Sequence, residues 1–246
     1  MAISRTIKLE NLVRIRDPQP GAPTRVLGEW PGNPASSTRV LTNRMIDATE
    51  KILRGAYDVR GNRNYSPPEA GERLREISGP SLKELNAHAS TLKAAKEKLR
   101  DTLLMISPAT PYEKSGFWQS TIDVEIVKAF NALPVSEKAL MKHQLLDSPL
   151  TTNWALADAL LRLPPLVTGI THAERHTVKI ELFKSLHPGE YNALNEQIEQ
   201  VKFAESANRM AVETALHTIG ARDDVSQHAP AALELAQATD AVGWGT

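Results

Sequence analysis

Apolar residues recur along Leu82, Leu85, Ala89, Leu92, Ala95, Leu99, Leu103 and Ile106 in steps of three and four. At ~3.6 residues per turn they share one side of a helix about seven turns long. A second and longer seam runs through Tyr191, Leu194, Ile198, Val201, Ala204, Asn208, Val212, Ala215 and Ile219. Stripes this narrow are made to lie against another helix, in the same chain or in a copy of it. The pattern predicts an all-α fold of long antiparallel helices and a cluster of short ones. An extended N-terminal arm precedes them and a loose C-terminal tail follows.

Capping signals place the boundaries. Thr42 reads as the cap of a helix to Arg54, with Met45, Ile46, Thr49, Ile52 and Leu53 on its buried side and Gly55 past its end. Ser66-Pro67-Pro68-Glu69 supplies an N-cap, a proline at N1 and the Glu of a capping box, opening a short helix to Ile77 that Gly79-Pro80 stops. Ser81-Leu82-Lys83-Glu84 is a second box, and it starts the first long seam, which ends at Ser107-Pro108. Three short helices follow near 121–133, 137–146 and 151–163, separated by Pro134, Ser148-Pro149 and Pro164-Pro165. Thr171-His172-Ala173-Glu174 is a third box, with Ile170 placed as its staple residue. His187-Pro188-Gly189 predicts a break, then a helix from about Pro188 to Ile219 with Gly220 at C′, and Pro230 to Ala238 a weak helical stretch. The divisions read as an arm over 1–40, a helical body over 41–220 with the short-helix cluster of 120–165 inside it, and a tail over 221–246.

Within the arm, Ile3, Ile7 and Leu9 share one side, as in a short strand or an extended segment. Pro18, Pro20, Pro23, Pro31 and Pro34, with Gly21, Gly28 and Gly32, then argue against regular structure. Such a stretch buries too little to offset its ordering entropy, so the reading expects another chain to hold it down.

Composition narrows the class. Aromatics are only 5% of the chain, which leaves Leu and Ala to carry the packing and suits helices better than sheets. The absence of Cys excludes disulfides, thiolate metal ligands and Cys nucleophiles. No apolar run approaches the ~18–20 residues of a membrane span, so no membrane partner is expected. The opening Met-Ala-Ile-Ser-Arg-Thr-Ile-Lys has no apolar core of a signal peptide, which predicts a protein of the virion or of the producing cell's cytoplasm. The net charge of zero hides a gradient: residues 1–65 hold eleven Lys or Arg against six acids, whereas the chain from Ala221 sets Arg222 against four acids. That asymmetry can bias association with phosphate, or head-to-tail between copies.

Candidate chemistry is thin. His172 and His176 stand at i and i+4, a spacing that can hold a divalent cation, but Glu174 points elsewhere and a polar first helical turn explains the pair more plainly. Nucleophile-elbow, dinucleotide and phosphate-loop motifs are missing, and the Asp123/Glu125 and Asp223/Asp224 pairs do not converge. No catalytic, metal or cofactor residue is therefore assigned, and the chain reads as a non-enzyme. The turn Asp147-Ser148-Pro149-Leu150 could belong to a helix-turn-helix, yet the helix after it carries one basic residue, Arg162, and reads as core.

The arm's Arg5, Lys8, Arg14, Arg16, Arg25, Arg39 and Arg44, with Trp30 its one aromatic, suit non-specific phosphate contact or docking on carboxylates of a neighbouring subunit. Trp244, between two glycines, is either solvated or an anchor in a neighbour's pocket. Arg5, Arg14, Arg16, Arg25, Trp30 and Trp244 are accordingly the partner-contact candidates. The reading is a structural or assembly protein that binds copies of itself or other subunits of a larger particle, most concretely a viral or phage virion component. A cytoplasmic α-helical adaptor is the runner-up, and an enzyme with an unrecognised helical site comes third.

Overall fold

The computed structural model describes residues 11–21, 24–106, 118–220 and 222–238. These form strands β1 (Leu12–Ile15) and β2 (Arg25–Glu29), then helices α1 (Ser37–Gly61), α2 (Pro67–Met105), α3 (Gln119–Asn131), α4 (Val135–Asp147) and α5 (Pro149–Arg162). After them come α6 (Pro165–Thr168), α7 (His172–Leu186), α8 (Pro188–Ile219), α9 (Arg222–His228) and α10 (Pro230–Gln237). The fold is all-α with long helices, as the seams predict. Two compact units share it: one takes the described residues up to Leu99 and those from Glu196, the other Arg100–Asn195.

Unit one is built on α1, α2 and α8. Both seams are real: Leu82, Leu85, Ala89, Leu92 and Leu99 are buried on α2, and Val201, Ala204, Asn208, Val212, Ala215 and Ile219 on α8. One position in the first seam is corrected. Ala95 faces solvent, and Lys96 holds the place between Leu92 and Leu99. Its aliphatic stem can cover apolar surface while its ammonium meets Glu205 of α8 at 2.5 Å.

Two expected stops are also overturned. The helix begun at Pro67 runs through Gly79-Pro80 to Met105, so Ser81 starts nothing. Pro80 lies on the exposed side, where water can take the carbonyl that its missing N–H leaves free. Helix α1, capped by Ser36 rather than Thr42, likewise passes Gly55 and ends at Gly61. A side chain at Gly55 would meet the Ile77 Cδ1 of α2 at 2.8 Å, so this glycine serves close packing rather than a turn.

Part of the proline-rich arm is a β-hairpin. β1 and β2 pair antiparallel with a bulge between Val13 and Arg14. Val13, Ile15 and Trp30 are buried with Ile46 of α1, and Leu27, Leu53, Phe203 and Met210 pack around them. The described arm is thus held by its own chain, while Ile3, Ile7 and Leu9 lie outside the described residues. Residues 222–238 also fold: Val225, Ala229, Ala232 and Leu235 are buried. Two long helices each lend an asparagine to α10. Asn86 Oδ1 accepts from Ala231 N at 2.8 Å, and Asn208 Nδ2 donates to Ala232 O at 2.9 Å.

Unit two centres on α5, which packs against α3, α4 and α7. Its core is Val127, Phe130, Leu145, Leu156, Ala157, Ala159, Leu160, Leu163, Ile170 and Val178. The chain leaves helical geometry at Asn153 (φ −164°, ψ 88°), whose Oδ1 accepts from Leu156 N at 3.0 Å and caps the buried half of α5. The Thr171–Glu174 capping box forms as predicted, and Gly220 takes its expected left-handed conformation (φ +71°) after α8.

Candidate interaction surfaces

The predicted contact residues divide by location. Arg5 and Trp244 lie outside the described residues. Arg14, Arg16 and Arg25 are exposed on or beside the hairpin. The Arg16 backbone N–H donates to Glu50 Oε1 at 2.8 Å, and Arg25 Nη1 donates to Thr214 Oγ1 at 2.9 Å. Trp30 is only 3% exposed. It packs edge-on to Phe203, ring centroids 5.4 Å apart, and donates from Nε1 to Asn33 O. The indole is core within its own unit, so a partner could reach it only if the hairpin came away.

Beneath the hairpin lies a buried cation that the sequence does not reveal. Arg39, at the third position of α1, is 7% exposed. Its guanidinium sits 5.3 Å from the Trp30 ring centroid, Nη2 reaches Leu12 O only at 3.5 Å, and Nη1 has no hydrogen-bond partner. Burial pushes its pKa below the ordinary arginine value. A buried charge normally has a carboxylate beside it. This one has an indole face and a distant carbonyl.

Where the hairpin meets the C-terminal ends of α1 and α8, a groove of about 710 Å³ is lined by Asp17, Arg25, Tyr57, Asp58, Arg60 and His217, among others. Both signs of charge face it. Arg60 Nη2 donates to Thr218 O at 2.8 Å, near the end of α8, and Arg25 is tied one turn earlier. The two guanidiniums act as struts between elements, a C-terminal capping role for Arg60.

Unit two has the opposite character. Its interior holds an ionic cluster: Arg162 binds Asp123 in bidentate fashion, Nε to Oδ2 at 2.7 Å and Nη2 to Oδ1 at 2.9 Å, and meets Asp158 Oδ2 at 2.6 Å. Gln119 Nε2 adds a bond to Asp123 Oδ1. The hydrogen bond that Arg162 donates to Asp123, with the nearby charges of Asp158 and Asp123, raises the Arg162 pKa against the opposing effect of burial. The sequence pairs Asp123 with Glu125. The structure pairs it with a residue 39 positions away. Asp158 stands one helical turn before Arg162, at i and i+4. A half-buried arginine, Arg175, donates to the carbonyls of Leu161 and Leu163 and closes the end of α5.

The surface of unit two is rich in apolar side chains. Leu166 is 96% exposed and Val135 87%, and Leu104, Met105, Trp118, Leu140 and Trp154 are exposed too. Asn131 Nδ2 donates to Val167 O at 3.4 Å, and its Oδ1 accepts from Lys138, one turn beyond Val135, at 2.6 Å. His172 and His176 sit in the first turns of α7, and among the described residues no three His, Asp or Glu gather as metal ligands. The second helix of the candidate helix-turn-helix is buried through Leu156, Ala157, Ala159 and Leu160. No family model, no curated protein and no solved structure matches the chain.

Proposed function

We propose that this chain is a non-enzymatic structural subunit that associates with copies of itself or with other subunits of a larger particle, and that the particle is a virion. The observation that carries the reading is the apolar surface of unit two. Residues such as Leu166 and Val135 stand in water although the same unit buries other Leu and Val completely. Large exposed apolar patches rimmed by polar residues mark protein contact surfaces. The virion is proposed by analogy of architecture, a basic arm and long-helix seams being suited to subunits that exchange contacts. Any nucleic-acid contact is assigned to backbone phosphates through Arg14, Arg16 and Arg25, without sequence preference.

Multi-angle light scattering across a concentration series tests the reading. The expected result is a mass several times that of one chain, lowered when Leu166 and Val135 are both changed to Ser while the helical circular dichroism stays the same. A single-chain mass at every concentration, with no gain on adding partner subunits, overturns it.

A further inference from the structure

We propose that the β-hairpin of residues 11–30 is an exchangeable arm, which leaves α1 and α8 of its own chain and docks on the same face of a second copy. The inference rests on the assembly reading above and specifies the element that is traded.

Four observations carry it. The hairpin is a ladder of four and five residues broken by a bulge, and a two-stranded ribbon of that size is marginal by itself. Its hold on the body is a small, separate cluster built from Val13, Ile15 and Trp30 against Ile46, with half-buried Phe203 and Met210 alongside. Docking it covers Arg39, whose Nη1 finds no acceptor and which has no acid beside it among the described residues, so closing the hairpin carries a desolvation penalty that opening relieves. Between Trp30 and the Ser36 cap of α1 the chain reads Pro31-Gly32-Asn33-Pro34-Ala35, outside any strand or helix. Five or six extended residues reach about 17–20 Å, enough to hand the hairpin to an adjoining molecule.

Release alone would leave apolar groups bare on both sides: Val13, Ile15 and Trp30 on the hairpin, Ile46 on α1. A second copy presents the identical face and satisfies both, which is why exchange of identical elements is a low-cost route to association. Charge agrees with this pairing. The hairpin carries Arg14, Arg16 and Arg25, and the body offers Glu50 to the Arg16 N–H at 2.8 Å. That contact remains available when the two partners belong to different molecules.

The chain has no cysteine, so single introduced thiols report cleanly. Arg16→Cys and Glu50→Cys, neither of them buried, are prepared as separate full-length proteins, mixed in equal amounts, incubated and treated with a short bismaleimide. Exchange predicts a covalent species of twice the single-chain mass that needs both variants in the tube. The double variant Arg16→Cys/Glu50→Cys, held dilute, should link within one chain and shows that the reagent reaches. If the mixture stays unlinked while the dilute double variant links internally, the hairpin remains at home and the proposal is wrong. Failure to link in both formats overturns it as well, because the hairpin then docks at neither place. Light scattering on the same mixture separates the two levels. An assembled mass without cross-links removes exchange and leaves the assembly reading standing, whereas a single-chain mass removes both.

Discussion

Unit one and unit two solve the same problem with opposite materials. In unit one the interior is a set of long apolar seams, and most of its ion pairs, Lys51–Glu84, Lys93–Glu234 and Arg75–Asp224 among them, lie toward the surface, with Lys96–Glu205 the part-buried exception. In unit two an ionic cluster goes inside, with Arg162, Asp123 and Asp158 nearly inaccessible, and large apolar groups such as Leu166 and Val135 go outside. Surface ion pairs contribute ~0–1 kcal/mol each, so unit one depends on packing. A buried ionic cluster adds little net stability but is damaging to break, so unit two depends on keeping every partner in place. The lesson concerns what each unit has left over. Unit one leaves a few apolar side chains partly bare, Val26 and Val40 among them, and unit two leaves more of them and exposes them further.

The sharpest way to break the comparison is Arg162→Ala. It takes the cation from between two buried carboxylates and should lower stability by about 3–5 kcal/mol in denaturant unfolding. A loss below about 1 kcal/mol would place the cluster among the ordinary surface pairs of unit one. Leu92→Ala is the corresponding cut in unit one. It should cost about 2–5 kcal/mol through lost burial and the cavity left behind, and a melt indistinguishable from the parent would mean that the seam is not packed.

A change of opposite sign comes from Arg39→Met, which replaces a buried and poorly partnered cation with an apolar chain of similar length. Stability should rise, by about 1 kcal/mol or more, and a fall would reveal that the Trp30 contact outweighs the desolvation. Leu166→Ser, on the bare surface of unit two, should move folding stability by no more than about 0.5 kcal/mol. A large destabilisation would show that this side chain belongs to a core.

The smallest effect expected is in pH. Burial, then Arg44, hold His88 below its ordinary pKa of 6.5 against the pull of Glu84, with Lys51 helping to lower it. The unfolded chain therefore takes up this proton more readily than the folded one. The stability linked to His88 is intact above pH 6.5 and declines as pH falls through that value. His88→Gln should flatten this part of a stability-against-pH curve, and an unchanged slope would assign it to other groups.

Periodicity and local capping were legible along the chain. Both seams, the Thr171–Glu174 box, the break at His187-Pro188 and the glycine after α8 depend on residues within a turn or two of one another, and each is found in the structure. The errors arose where distant residues decide a local outcome. Gly55 reads as a stop, but the approach of Ile77 gives it a packing role. Pro80 reads as a stop too, and its solvent-facing position lets the helix continue. Arg39 looked like one more basic residue of an arm, and only the fold of Leu12 and Trp30 over it makes it a buried charge. Asp123 and Arg162 could not be paired by spacing, because their contact depends on how α3 and α5 cross. The apolar surface of unit two escaped for a related reason: Leu166 and Leu160 look alike until one knows which is covered.

Lys96 gives α2 a ruler. Positions 82, 85, 89, 92, 96, 99, 103 and 106 alternate steps of three and four without interruption, and such a ladder looks the same after a slide of seven residues. One ammonium removes that degeneracy. Within unit one, a slip of α2 along α8 by a heptad would set Lys96 among apolar neighbours and leave Glu205 without its cation. A polar residue in an apolar seam fixes alignment at some expense in stability. The one charged residue in the ladder is therefore the mark that tells these two helices where to stop.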